Sequence, residues 1–159
     1  MTTTVGDLVE RYLADPTPAA LADVRRMVRA QPSFDPGLVV GEAADLADLQ
    51  RLMPGALLSP AAHAALAQAL ARSGRPDAAA RERLLAEASL AGILATGVGT
   101  RERPWSVLRV SDEYDVLRSL RRRSVEQSVE RDGRRHLDHH VCDDGSEAWF
   151  DVTELFPPD

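Results

Sequence analysis

Four residues of metal-ligand type crowd one short stretch. His136, Asp138, His140 and Cys142 alternate there with Leu137, His139 and Val141. A β-strand turns alternate side chains to the same face, so the four would share one side of a strand. Positions i and i+2 stand about 6–7 Å apart, whereas His136 and His140 would stand about 13 Å apart. One ion could therefore take only an adjacent pair, such as Asp138 with His140. Its other ligands would come from elsewhere, Asp151 or His63 being the nearest in type. Zinc or iron suits such a mixed set of imidazole and carboxylate. The commoner fate of such a stretch is a polar, solvated strand face.

Three further residues bear on chemistry. His63, near the start of a helix, is a base or ligand by type, and more often such a histidine is hydrogen-bonded in packing. Tyr114 and Gln127 suit a hydroxyl–amide bond that locks a helix to a sheet, with Asp138 as the alternative acceptor. His63, Tyr114, Gln127 and Asp138 are thus the catalytic candidates. Cys142 lacks the electropositive surroundings that a nucleophilic thiol requires. No G-x-S-x-G word is present. All 19 basic residues are Arg, so Schiff-base chemistry on Lys and the Lys-containing phosphate loop are both excluded.

The elements that would position these groups fall into two sets. Residues 1–96 read as helices. Val5, Leu8, Val9, Tyr12 and Leu13 recur at helical spacing, and Pro16 stops them. Thr17-Pro18 and Ser59-Pro60 each pair an N-cap with Pro at the first helical position. The stretch from Pro36 to Met53 is expected to be helical, with Leu46 and Leu49 inward, although Gly37 and Gly41 oppose it. Ser73 to Asp77 turns the chain into a long helix through Leu94.

Residues 97–159 change character. Trp105–Val110 reads as a strand, and Ser111 as the N-cap of a helix whose Asp112 and Glu113 suit the positive end of its dipole. From Ser124 the period becomes two, Asp132-Gly133 signals a tight hairpin, and Asp143–Ser146 turns into a third strand. The expected fold class is α+β: helical hairpins followed by a small antiparallel meander with one helix, the two parts sharing one core.

Two resemblances follow from these words. Ala67, Ala79, Ala86 and Gly74 fall where a tetratricopeptide hairpin needs close helix approach and a turn. The order Ala62-His63, Gly97-Val98-Gly99-Thr100, Glu113-Tyr114, Leu117, Gln127-Ser128, Gly133, Asp138, Gly145 and Phe150-Asp151 resembles an uncharacterised bacterial family. Its members look like a tetratricopeptide-type unit followed by a G-x-G-T…E-Y…Q…D…F-D β module. That resemblance implies fold and carries no activity. Leu137 stands where the family often has an aromatic, and many relatives look exported, as this chain does not.

Charge and composition narrow the partners. The net charge of −6 argues against nucleic acid. Residues 118–135 carry seven Arg against three acids, and residues 138–159 carry seven acids and no Arg. Strands pairing their charges across a hairpin would explain the split. A single Cys, no signal-like start and no long apolar run suggest a cytoplasmic protein without membrane contact. The absence of Lys and Asn, with Ile93 the sole isoleucine, suggests a high-GC bacterial genome.

The expected function is a protein-interaction module, an adaptor or accessory subunit that binds another protein or itself. Its partner surface is expected over Leu46, Leu49, Leu57, Leu58 and His63, where an apolar segment reads as a partly exposed loop. No cofactor is expected. A metalloprotein or metal-dependent enzyme on the Asp138/His140 face is the first alternative. An inhibitor or immunity-type partner of a basic protein, drawn by the acidic tail, is the second.

Overall fold

Thr4, Thr17 and Ser59 each stand just before a helix with an extended backbone, and each side-chain oxygen accepts an N–H from the first turn. Such caps satisfy donors that no carbonyl inside the helix can reach. They open α1 (Val5–Ala14), α2 (Pro18–Arg29) and α4 (Pro60–Arg72). The remaining helices are α3 (Leu46–Arg51), α5 (Pro76–Leu94) and α6 (Val110–Ser119). The structure is a computed structural model, and it describes residues 1–41 and 44–157.

The chain forms two compact units, Met1–Gly92 and Ile93–Asp159. In the first, Leu8, Val9, Tyr12, Leu21, Val24 and Val28 are the buried faces of α1 and α2. A second cluster joins Leu49 of α3 to Leu66 and Ala69 of α4. The helix expected over Pro36–Met53 is reduced to the six residues of α3. Leu38–Gly41 is irregular, in keeping with the low helix propensity of Gly37 and Gly41. Glu42 and Ala43 lie outside the described residues.

The segment expected to be a partly exposed apolar loop buries Gly55, Ala56 and Leu58 and leaves Met53, Pro54 and Leu57 half-buried. Gly55 lies against the backbone of Ser33, where an added Cβ would come within 2.2 Å, and its N–H donates to Ser33 Oγ at 2.8 Å. Ala56 packs with Leu38 and Ala62, and Leu58 is 4 % exposed. Leu58 holds a left-handed backbone at φ 63°, and its N–H donates to His63 Nε2 at 3.1 Å. Leu49 and His63 are buried as well, while Leu46 and Leu57 are half-buried. Of the expected partner surface, Leu49, Leu58 and His63 are therefore core residues, a correction that follows from where the loop folds back.

In the second unit, β2 (Ser124–Asp132), β3 (Arg135–Cys142) and β4 (Glu147–Asp151) form the expected antiparallel meander. Gly133 turns β2 into β3 at φ 61°, as the Asp-Gly pair signals. The strand expected over Trp105–Val110 shortens to β1 (Trp105–Ser106), which adds in parallel to β4 and makes the sheet mixed, in the order β1-β4-β3-β2. The fold class is α+β. The segment Gly97–Thr100 is a structural turn: Val98 and Gly99 both donate to the Arg103 carbonyl, and Gly99 O accepts from Trp149 N. A Cβ on Gly99 would lie 2.4 Å from the Trp105 ring, at a backbone φ of 77°. Charge pairing gathers at the turns, where Arg122 and Arg123 face Asp144 and Asp143.

Candidate metal centre

Helix α6 begins at Val110, one residue before the cap expected at Ser111. The Asp112 carboxylate accepts the N–H groups of Leu108 and Arg109, both at 3.1 Å, and so closes the helix start from inside. This register turns Glu113 inward with Val116 and Leu117, while Tyr114 stays 40 % exposed. The inward face of α6 thus presents a fully buried carboxyl to β3.

On β3, Asp138 and His140 point to the same side, as strand alternation requires, and both are buried. The His140 ring is edge-on to Phe150 and to Tyr114. His140 Nε2 stands 2.6 Å from Glu113 Oε2. One ligand-type atom from each of Glu113, Asp138 and His140 lies within 4.8 Å of the other two. Glu113 Oε1 and Asp138 Oδ1 are buried with no hydrogen-bond partner.

One arrangement of protons accounts for this network. Ser124 Oγ–H donates to the Glu126 carbonyl at 3.2 Å, so the same oxygen accepts from His140 Nδ1 at 2.8 Å. In that tautomer Nδ1 carries the ring proton, and Nε2 presents a bare lone pair to Glu113. Two acceptor atoms at 2.6 Å require something positive between or beside them. A proton on Glu113 is one answer. Burial, and then the neighbouring Asp138 carboxylate, push the Glu113 carboxyl up to about 10, while burial holds His140 below its ordinary value. A divalent cation is the other. Ligand atoms on one tetrahedral zinc stand about 3.3 Å apart, so side-chain adjustments of about 1 Å would serve.

Around this core, Gln127 Nε2 donates to Asp138 Oδ2 at 2.6 Å, and the Tyr114 hydroxyl donates to Gln127 Oε1 at 2.5 Å. The structure therefore brings Tyr114, Gln127 and Asp138 together, with Tyr114 more exposed than a purely buried lock would be. The other expected ligands go elsewhere. His136 stacks on Phe156 at 4.3 Å. Asp151, opposite Leu137 in the register, faces away from Asp138 and accepts from Thr153 N and Oγ1. His63 is held within the helical unit, its Nδ1 2.7 Å from Glu82. Cys142 is buried.

Sequence reasoning missed Glu113. Glu113 suits the helix dipole, and it also precedes Val116 and Leu117 by three and four residues, the spacing of one helix face. No family model, curated protein or solved structure matches this chain. Among the described residues, no helix is long and apolar enough to cross a membrane.

Proposed function

We propose that the chain is a metalloprotein that binds one divalent transition-metal ion through Glu113, Asp138 and His140. The supporting observation is His140 Nε2 facing the Glu113 carboxyl at 2.6 Å, beside the unpartnered Asp138 Oδ1. This is the Asp138/His140 reading with Glu113 in place of Asp151 or His63. All three ligands are buried, so the ion would fasten α6 to the sheet rather than present an open catalytic face. Equilibrium dialysis of chelator-treated protein against zinc should give one ion per chain and raise the melting temperature. A chain that takes up no zinc, with a melting temperature unmoved by it, would leave the proton on Glu113 as the whole account.

A second reading, the protein-interaction module, is supported by β2. It is the outer strand of the sheet, nine residues long, with Val125 and Val129 both about half exposed. Such an edge offers backbone N–H and C=O groups for pairing. The occupant is a second copy, paired antiparallel along the regular part of β2 beyond the irregularity at Ser124–Glu126, where Val129 is exposed. The buried Ala67 and Ala79 and the left-handed Gly74 support a tetratricopeptide-like packing of α4 and α5 in the same module. Light scattering at high concentration should report a dimer; a strict monomer there disposes of the edge-pairing reading. A cytoplasmic site of action accompanies both readings.

A further inference from the structure

The geometry points to Gln127, held by Tyr114, as the residue that makes Asp138 a one-oxygen ligand and so biases the centre toward a small cation of low coordination number. This inference rests on the metal reading above and adds its selectivity. Gln127 lies on β2 directly opposite His140, and Val129 lies opposite Asp138. From that register the Gln127 amide reaches diagonally to Asp138 Oδ2. A carboxylate only accepts hydrogen bonds, so the NH₂ end of the amide faces Asp138. The carbonyl end then faces the phenol, which must donate to it. The amide is thereby fixed at both ends.

The consequence falls on Asp138. Its Oδ2 is engaged, and Oδ1 is the oxygen left without a partner. The 2.6 Å bond from Gln127 takes one lone pair of Oδ2 and fixes the carboxylate's orientation, which disfavours turning both oxygens onto one ion. Calcium takes about 6–8 oxygen ligands and commonly draws on two-oxygen carboxylates. Zinc is satisfied by about four ligands and accepts imidazole nitrogen readily. A centre of one nitrogen, one carboxylate biased to a single oxygen and the Glu113 carboxyl fits the second requirement better than the first. Outer-shell partners of this type orient metal ligands and tune affinity. Gln127 and Tyr114 are positioning residues here, because each acts through Asp138.

The test compares wild type, Gln127→Ala and Tyr114→Phe, using zinc, calcium and cobalt(II) as probes. Both side chains are exposed, and native circular dichroism is the control for folding. Wild type should bind zinc and ignore millimolar calcium. Gln127→Ala should lose about 10–100-fold in zinc affinity, narrow the zinc-over-calcium ratio, and change the visible spectrum of bound cobalt. Tyr114→Phe, which removes only the hydroxyl, should move the same readings in the same direction by less. If wild type binds zinc while both variants keep its affinity, selectivity and cobalt spectrum, Gln127 does not position Asp138 and this inference fails with the metal reading intact. If wild type binds no zinc or cobalt, the metal reading itself fails and takes this one with it.

Discussion

Glu113→Gln should abolish zinc binding and, in the metal-free protein, remove the loss of stability on the alkaline side. The amide keeps the size of the side chain, and its NH₂ can donate to the bare Nε2 of His140. It carries no negative charge for a cation and no proton to release. In the wild type, the Glu113 pKa rises from its ordinary 4.5 to about 10 on folding, so the folded chain holds a proton that the unfolded chain gives up. Its contribution to stability is complete below pH 4.5 and is lost as pH climbs through about 10. One group can impose at most about 1.4 kcal/mol per pH unit.

Neighbouring groups act in other windows. Asp112, pushed up to about 6 by burial against the pull of Arg109, loses its contribution from 3.8 to about 6. His140 is shifted down, so its contribution is present above 6.5 and is lost as pH falls. Denaturant midpoints between about pH 7 and 9 therefore isolate Glu113. The metal-free wild type should weaken across that range, and Glu113→Gln should stay level. A variant that still binds zinc would remove Glu113 from the ligand set. A variant with the wild-type alkaline slope would show that the proton sits elsewhere.

The double substitution Leu57→Ser and Leu58→Ser should unfold the helical unit. Leu58 is buried and its N–H is engaged by His63 Nε2, so its side chain and its backbone both hold the turn in place. Truncating a buried leucine costs about 2–5 kcal/mol. A serine hydroxyl left without a partner in that space adds about 1–3 kcal/mol. With half-buried Leu57 also lost, the total of about 5 kcal/mol or more is comparable to the whole stability of a small domain. Circular dichroism and thermal melts read this directly. Native spectra with weakened self-association would instead return these leucines to a partner surface.

The Leu46–Leu58 region shows why an apolar loop resists reading from sequence. Composition says that Met53–Leu58 is sticky, and nothing local says whether it meets solvent or the chain itself. Its burial depends on Gly55 fitting against the backbone of Ser33, 22 residues away in sequence. The same holds for β1. Trp105 and Ser106 pair in parallel with Phe150 and Asp151, a partnership no periodicity announces. The start of α6 shifted from Ser111 to Arg109 because the inward-turned Asp112 carboxylate serves the N–H groups of Leu108 and Arg109.

What the sequence determined by itself is what short-range forces decide. Thr17-Pro18 and Ser59-Pro60 start helices because a hydroxyl can reach N–H groups two or three residues on, and Pro has no N–H to leave unpaired. Asp132-Gly133 turns a hairpin because glycine accepts a left-handed backbone. Alternation alone places Asp138 and His140 on one face of β3. The tertiary structure decided which third group meets them. Glu113 lies 27 residues from His140, and only the packing of α6 on the sheet brings two carboxyl groups and an imidazole nitrogen into one buried space. Burial is a sum over contacts from distant parts of the chain, and it is burial that turns three ordinary polar residues into a centre that must hold a proton or a metal ion.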